Sequence, residues 1–243
     1  MDDAEIAKSA ELEHRHWWYA ERRALVRRTV ARWPVGTAVD VGCGMGGNTL
    51  VLRAMGWEAV GVEYSATGAD IAASRGIPVV RGDGRRLPLA DGSVDLVMST
   101  DAWEHIDDDV AVAAESARVL KPGGRLLVAV PAGMELWSGH DVALGHVRRY
   151  EREQLAELIQ GAGLVLDDVW SWNVLLRPVV KARRRRKVTS ESEMEAVHPV
   201  INAGLRAVVA IERFLPLGRL SGVSLVALAH RPTDAAGSAG RPA

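Results

Sequence analysis

The sequence predicts an α/β protein on a doubly wound, mostly parallel sheet of seven strands, and three observations carry that expectation. Short β-branched apolar runs alternate with longer helix-like stretches along most of the chain. The first such run leads straight into Gly42-Cys43-Gly44-Met45-Gly46-Gly47, a strand–turn–helix arrangement whose missing side chains let a ligand come close to the backbone. No apolar run approaches the roughly 20 residues needed to cross a bilayer.

Taken in order, the chain opens with a long polar-aromatic helix pattern over 4–33. Strands are expected at 38–41, 59–63, 79–81, 94–99, 125–130, 165–172 and 224–230, each a short run rich in Val, Ile, Leu or aromatic residues. Helices are expected at 49–55, 69–75, 110–119 and 152–161. Glycine turns such as Gly161-Ala162-Gly163 suit helix C-termini. A second region outside the alternation, 177–220, holds the basic run 181–187 and then an apolar helix pattern over 200–215. The tail over 232–243, rich in Ala, Gly, Ser and Pro, is expected to be disordered.

Composition narrows the function classes. Thirty basic residues stand against 31 acidic ones, a net charge of −1 in 243 residues, so no global field marks a nucleic-acid binder. Hydrophobic residues make up 48% of the chain, enough for a sizeable core and against disorder as the main state. Cys43 is the single cysteine; it forms neither an internal disulfide nor a thiolate metal site, and a reducing compartment, the cytoplasm, is expected. The acidic, polar start is unlike a secretory signal. Eight Trp against three Tyr and one Phe suit either pocket walls or core filling.

The glycine turn alone is ambiguous, because Gly42, Gly44 and Gly47 also fit a dinucleotide pattern. Asp40, just before the glycines, suits a ligand with a positive charge and sits poorly beside a pyrophosphate. Glu63 ends the second strand about 20 residues further on, where a carboxylate can accept both hydroxyls of a ribose. Then follow Arg81-Gly82-Asp83-Gly84, Leu87-Pro88, a run from Asp91 to Val97, and Leu120-Lys121-Pro122-Gly123-Gly124. In this order and spacing, residues 36–135 resemble class I S-adenosylmethionine-dependent methyltransferases, the broad group that includes the ubiquinone and menaquinone C-methyltransferases. The resemblance implies a Rossmann-like methyltransferase fold with an antiparallel last strand and S-adenosyl-L-methionine as cofactor. It implies that Asp40, Gly42, Gly44 and Gly46 hold the methionine portion, Glu63 the ribose, and Asp83 with Gly84 the adenine edge. The segment from Ser99 through Trp103 to His105 would line the cleft where sulfonium and acceptor meet.

The acceptor side is sought after the fifth strand, where Trp137-Ser138-Gly139-His140-Asp141 and Gly145-His146-Val147-Arg148-Arg149-Tyr150 form a long polar-aromatic loop. This pair resembles a bacterial methyltransferase subgroup. His140 or His146 is a candidate base oriented by Asp141, and Arg148 or Arg149 a candidate anchor for an anionic acceptor. The plainer reading is a hydrogen-bonded brace at His140-Asp141, with Arg148, Arg149 and Tyr150 starting the next helix. His105 is either a further base or packing on the cleft floor. His140, Asp141 and His146 have ligand chemistry but no recognised metal spacing, and no metal is expected. Trp17, Trp18 and Tyr19 belong to an N-terminal helix that in the subgroup covers the donor site. Trp18 with Arg22 and Tyr19 with Arg23 are each four residues apart, which crowds one helix face.

The expected organisation is a helical lid over 1–35, then a methyltransferase domain over 36–231 with a helical insert over 177–220 before the last strand. The expected reaction is methyl transfer to a small-molecule acceptor at oxygen, nitrogen or carbon. The alternatives are an NAD-dependent oxidoreductase, disfavoured by Asp40, Asp83 and Leu120–Gly124, and a binding protein of the same fold without turnover. The basic run lacks interleaved aromatic residues for base stacking. It reads as a solvated helix face, or with 200–215 as a patch for peripheral contact with an anionic membrane, over residues 177–215, where an anionic or lipid-linked acceptor would lie. Oligomeric state has no signature in the sequence.

Overall fold

A computed structural model describes residues 3–186 and 197–233. The sheet has seven strands in the order β3-β2-β1-β4-β5-β7-β6. They are β1 (Thr37–Val41), β2 (Glu58–Glu63), β3 (Val79–Arg81), β4 (Val94–Thr100), β5 (Leu120–Pro131), β6 (Val165–Trp172) and β7 (Ser224–His230). β7 runs antiparallel to both β5 and β6, and the other neighbouring pairs are parallel. The expected mostly parallel sheet with a reversed last strand is therefore present. Strand order reverses between β1 and β4, the switch point at whose carboxyl edge ligands bind in open α/β sheets.

Period-two alternation sorts the strand residues onto two faces. Val39, Val41, Val97, Leu126 and Val128 join Leu155 and Ile159 of α7 (Arg152–Gly161) and Val112 of α5 (Asp109–Val119) in one core. Ala38, Leu96, Met98, Leu127 and Val226 join the other, against Val26 of α2 (Trp17–Val30), Leu52 of α3 (Gly47–Ala54) and Val209 of α9 (Pro199–Glu212). A long helix over 4–33 is not what forms. α1 (Asp3–Leu12) ends, the chain turns, and His16 in an extended conformation caps α2, its ring accepting from the Trp18 amide at 3.3 Å. The turn sets α2 down on the sheet while α1 reaches α4 (Ala66–Ser74).

The loop after β5 contains an unanticipated short helix, α6 (Gly139–Leu144), started by a capping box between Ser138 and Asp141. The insert contributes α8 (Arg177–Arg186) and α9. Lys187 lies outside the described residues, as do 188–196 and the tail from 234. Among the described residues no helix is long and apolar enough to cross a membrane.

Candidate functional site

One cavity of about 930 Å³ opens at the carboxyl edge of β1, β2 and β4 and continues beneath α2, α6, α8 and α9. That is the upper end of ligand-pocket volumes, room for two small molecules side by side. Its two ends differ in chemistry.

At the sheet end lies the turn after β1. Gly42 (φ +70°) and Gly44 (φ +53°) are left-handed, and both line the cavity. A Cβ on Gly42 would meet that of Ala102 at 2.4 Å, whereas a Cβ on Gly44 would meet nothing within 4 Å and would stand in the cavity. The Gly44 amide donates to Glu63 Oε2 at 2.7 Å and the Ser65 amide to Oε1 at 2.8 Å, so the carboxylate is held in one pose on the wall. Gly84 also lines this end. The remaining expected cofactor residues are set back from it. Asp40 is buried under the turn, takes the Thr49 hydroxyl at 2.6 Å on Oδ2, leaves Oδ1 unpartnered, and is pushed up to about 7 by burial. Gly46 (φ +80°) caps α3, with Ile77 where its Cβ would stand. Ser99 is spent inside the sheet, donating to the Val41 carbonyl at 2.9 Å. Asp83 turns outward to Arg85 at 2.6 Å.

The far end is a cluster built on a buried carboxylate. Asp141 is fully buried. Its Oδ1 accepts from His146 Nδ1 at 3.0 Å and Arg149 Nε at 2.8 Å, and its Oδ2 from the Ser138 amide at 3.0 Å, with Arg184 Nη1 at 3.3 Å. Burial by itself would raise this carboxyl, but the His146 hydrogen bond and the two guanidiniums hold it below the usual range. Asp141 therefore acts behind the wall, and His146, His140 and His105 stand on it. Burial pushes His140 and His105 down to about 3, so both are neutral at physiological pH. Glu104 beside them has no exposure and no hydrogen-bond partner on either oxygen, and burial holds it well above the usual carboxylate range.

Of the expected acceptor-side residues, Trp17, Trp18, Tyr19, His105 and Arg149 line the cavity. Arg149 is consumed by Asp141 and by the Ala132 carbonyl at 2.6 Å, which corrects its reading as an anion anchor. Arg148 is corrected likewise: it bonds the Asp107 carbonyl at 2.5 Å and pairs with Asp109, away from the cavity. Tyr150 lies in the core with its hydroxyl on Asp109 at 3.0 Å. Trp103 is wholly buried in the same core, and Trp137 is not on the cavity wall. Trp103 lies in a 3₁₀ turn over 103–105, and Trp137 follows a second over 134–136.

Several further wall residues were assigned no individual role, although Asp101 lies in the 99–105 segment expected at the cleft. Arg22, almost fully buried, lies 5.2 Å from the Trp18 ring centre and 4.6 Å from that of Trp172, and pairs with Asp101 at 2.7 Å. Asp101 (φ +54°) and Asn173 (φ +59°) are left-handed non-glycine residues on the cavity wall, a placement that Asp and Asn tolerate best and that concentrates at working sites. Both amide atoms of the buried Asn173 lack partners. Arg184, within the basic run, points inward rather than to solvent and bonds the Leu136 carbonyl at 2.7 Å.

Comparison with known proteins agrees with this geometry. Residues 39–128 match the methyltransferase-domain family. A Mycolicibacterium smegmatis S-adenosylmethionine-dependent methyltransferase is 29% identical over 161 residues, 65% of this chain and 63% of the relative. A Mycobacterium tuberculosis protein of the same description is 27% identical over 64% of this chain and 58% of its own length. The matches thus span less than two thirds of these relatives. A solved chain from the complex between the Haloferax volcanii Trm112 methyltransferase activator and a methyltransferase superposes with a TM-score of 0.64 at 25% identity, covering 95% of each chain.

Proposed function

We propose that this chain, which carries a class I S-adenosylmethionine-dependent methyltransferase domain, transfers a methyl group to a small-molecule acceptor in the cavity under the lid. The observation that carries the reading is the continuity of one cavity from the Gly42–Gly44 turn to the imidazole cluster. S-adenosylmethionine, when bound, supplies an already activated methyl sulfonium. The glycine turn fits it, because Gly44 leaves backbone bare on the wall and Glu63 presents a pinned carboxylate suited to a ribose. Gly84 borders the adenine side. The protein's own work is alignment and the exclusion of water. Trp17, Trp18 and Tyr19 close the cavity from α2, and Asn173 offers an unpaired amide to the acceptor. A hydroxyl or carbon acceptor must also shed a proton. His146, which Asp141 orients through Nδ1, is the imidazole on the wall placed to take it.

Calorimetric titration with S-adenosylhomocysteine, with NAD in parallel, tests the donor site. Micromolar binding of the first, none of NAD, and at least a tenfold loss in Glu63→Ala are expected. A preference for NAD, or equal affinity in the variant, overturns the assignment. Release of S-adenosylhomocysteine on offering hydroxyl, amine and carbon acceptors separates an enzyme from a binding protein.

The acceptor is proposed to be lipophilic, in line with the apolar wall of Leu176, Val179, Val180, Ile201 and Leu205. α9 and the segment after it also expose Val200, Ile211, Phe214, Leu215 and Leu220 near Arg213 and Arg219, which supports peripheral contact with an anionic membrane. Co-flotation with vesicles containing anionic phospholipid is expected at low salt and release at high salt. Absence of flotation at low salt rejects the membrane contact.

A further inference from the structure

Beyond methyl transfer, and independent of it, we propose that Glu104, His105 and His146 bind a single divalent first-row transition-metal ion on the cavity wall. One ligand atom from each lies within 4.8 Å of the other two. All three line the cavity.

The tautomers follow from the hydrogen bonds. His105 Nδ1 lies 3.2 Å from the Gly145 carbonyl, which can only accept, so Nδ1 carries the proton and Nε2 keeps its lone pair. His146 Nδ1 lies 3.0 Å from Asp141 Oδ1, a carboxylate that already accepts from Arg149, so Nδ1 donates and in the neutral ring the lone pair is on Nε2. That nitrogen stands 3.9 Å from Glu104 Oε1. Each ring can thus offer a lone pair beside Glu104, both of whose oxygens lack a donor. Neither Arg22 nor Arg149 supplies one: Arg22 bonds Asp101 at 2.8 Å through Nη2 while its Nε and Nη1 stay unpartnered, and Arg149 bonds Asp141 and Ala132.

A cation is the missing partner. Ligands about 2.0–2.2 Å from a common ion stand roughly 3–3.5 Å apart, so small side-chain rotations close the site. Two imidazoles and one carboxylate favour Fe, Co, Ni or Zn over Mg or Ca. A carboxylate or carbonyl behind each ring is the support that orients metal-binding histidines. The backbone holds the two halves in register, the Val147 amide donating to the Glu104 carbonyl at 2.8 Å. Three protein ligands leave the remaining coordination positions open to the cavity.

The full chain, dialysed against a chelator, should bind one equivalent of Co²⁺, read by its visible absorption, and of Zn²⁺, read by calorimetry, with micromolar or tighter affinity. Glu104→Gln and His105→Ala should each weaken binding at least tenfold, while His14→Ala, an exposed histidine, should not. Circular dichroism checks folding, and if Glu104→Gln does not fold, the part-exposed His105 decides. Wild-type binding weaker than about 0.1 mM, or equal affinity in folded Glu104→Gln or His105→Ala, overturns the site.

Discussion

Replacing Gly44 with Leu should lower affinity for S-adenosylhomocysteine by at least about 100-fold while leaving the protein folded. Nothing within 4 Å opposes a Cβ at this position, so the fold bears only the left-handed backbone, about 1–2 kcal/mol for an L-residue. The side chain would fill the space on the wall between the turn and Glu63, whose Oε2 is fixed by the Gly44 amide at 2.7 Å. Two lost factors of ten correspond to about 2.8 kcal/mol of binding. Gly42→Ala should behave in the opposite way. Its Cβ would stand 2.4 Å from that of Ala102, an overpacking that costs about 1–3 kcal/mol of stability. Titration calorimetry and thermal melts on both variants separate the two. Affinity in Gly44→Leu within threefold of wild type would place the donor elsewhere.

What the sequence made legible is the part where local pattern and tertiary role coincide. β3, β6 and β7 have the expected bounds, and β1, β2 and β4 differ by one residue at an end. Gly42, Gly44, Glu63 and Gly84 lie on the wall because a strand end and a glycine turn leave few directions for a side chain. Legibility fails where the chain turns between sheet and cavity. Trp103 and His105 are two residues apart, yet a 3₁₀ turn sends one into the core and the other to the wall. Arg148 and Arg149, neighbours in an irregular stretch, also diverge, one to Asp109 and the other to Asp141. The Arg184 side chain was readable in principle. Leu176, Val179, Val180, Arg183 and Arg184 all line the cavity, a stripe of one helical face at spacings of three and four. Charge density in the run obscured that period. Glu104 falls in the 99–105 segment expected to line the cleft, but nothing local marks its isolation, since neither Arg22 nor Arg149, both remote in sequence, bonds it.

Asp40→Asn should stabilise the protein above pH 7 and change little at pH 4. The buried carboxyl is pushed up to about 7 from an ordinary 3.8, chiefly by burial, with the Thr49 hydroxyl opposing. A folded-state value above the unfolded one means that the folded protein holds the proton more tightly. The associated stability is whole below about pH 4, is lost as pH rises towards 7, and is absent beyond it. Three units at about 1.4 kcal/mol each set an upper bound of about 4 kcal/mol on the penalty in the wild type. Asparagine carries no charge at any pH and can still accept from Thr49 Oγ1, which lies 2.6 Å away. Thermal melts from pH 4 to pH 8.5 should therefore show the variant level with wild type at the acid end and several degrees more stable at the alkaline end. The same pair of proteins tests the role expected from sequence. Asp40 lies behind the turn, off the cavity wall, so its charge reaches a bound sulfonium or ammonium only through the protein. Titration at pH 8 should find S-adenosylhomocysteine affinity reduced far less than in Gly44→Leu. A variant less stable than wild type at pH 8.5 would overturn the raised value for Asp40.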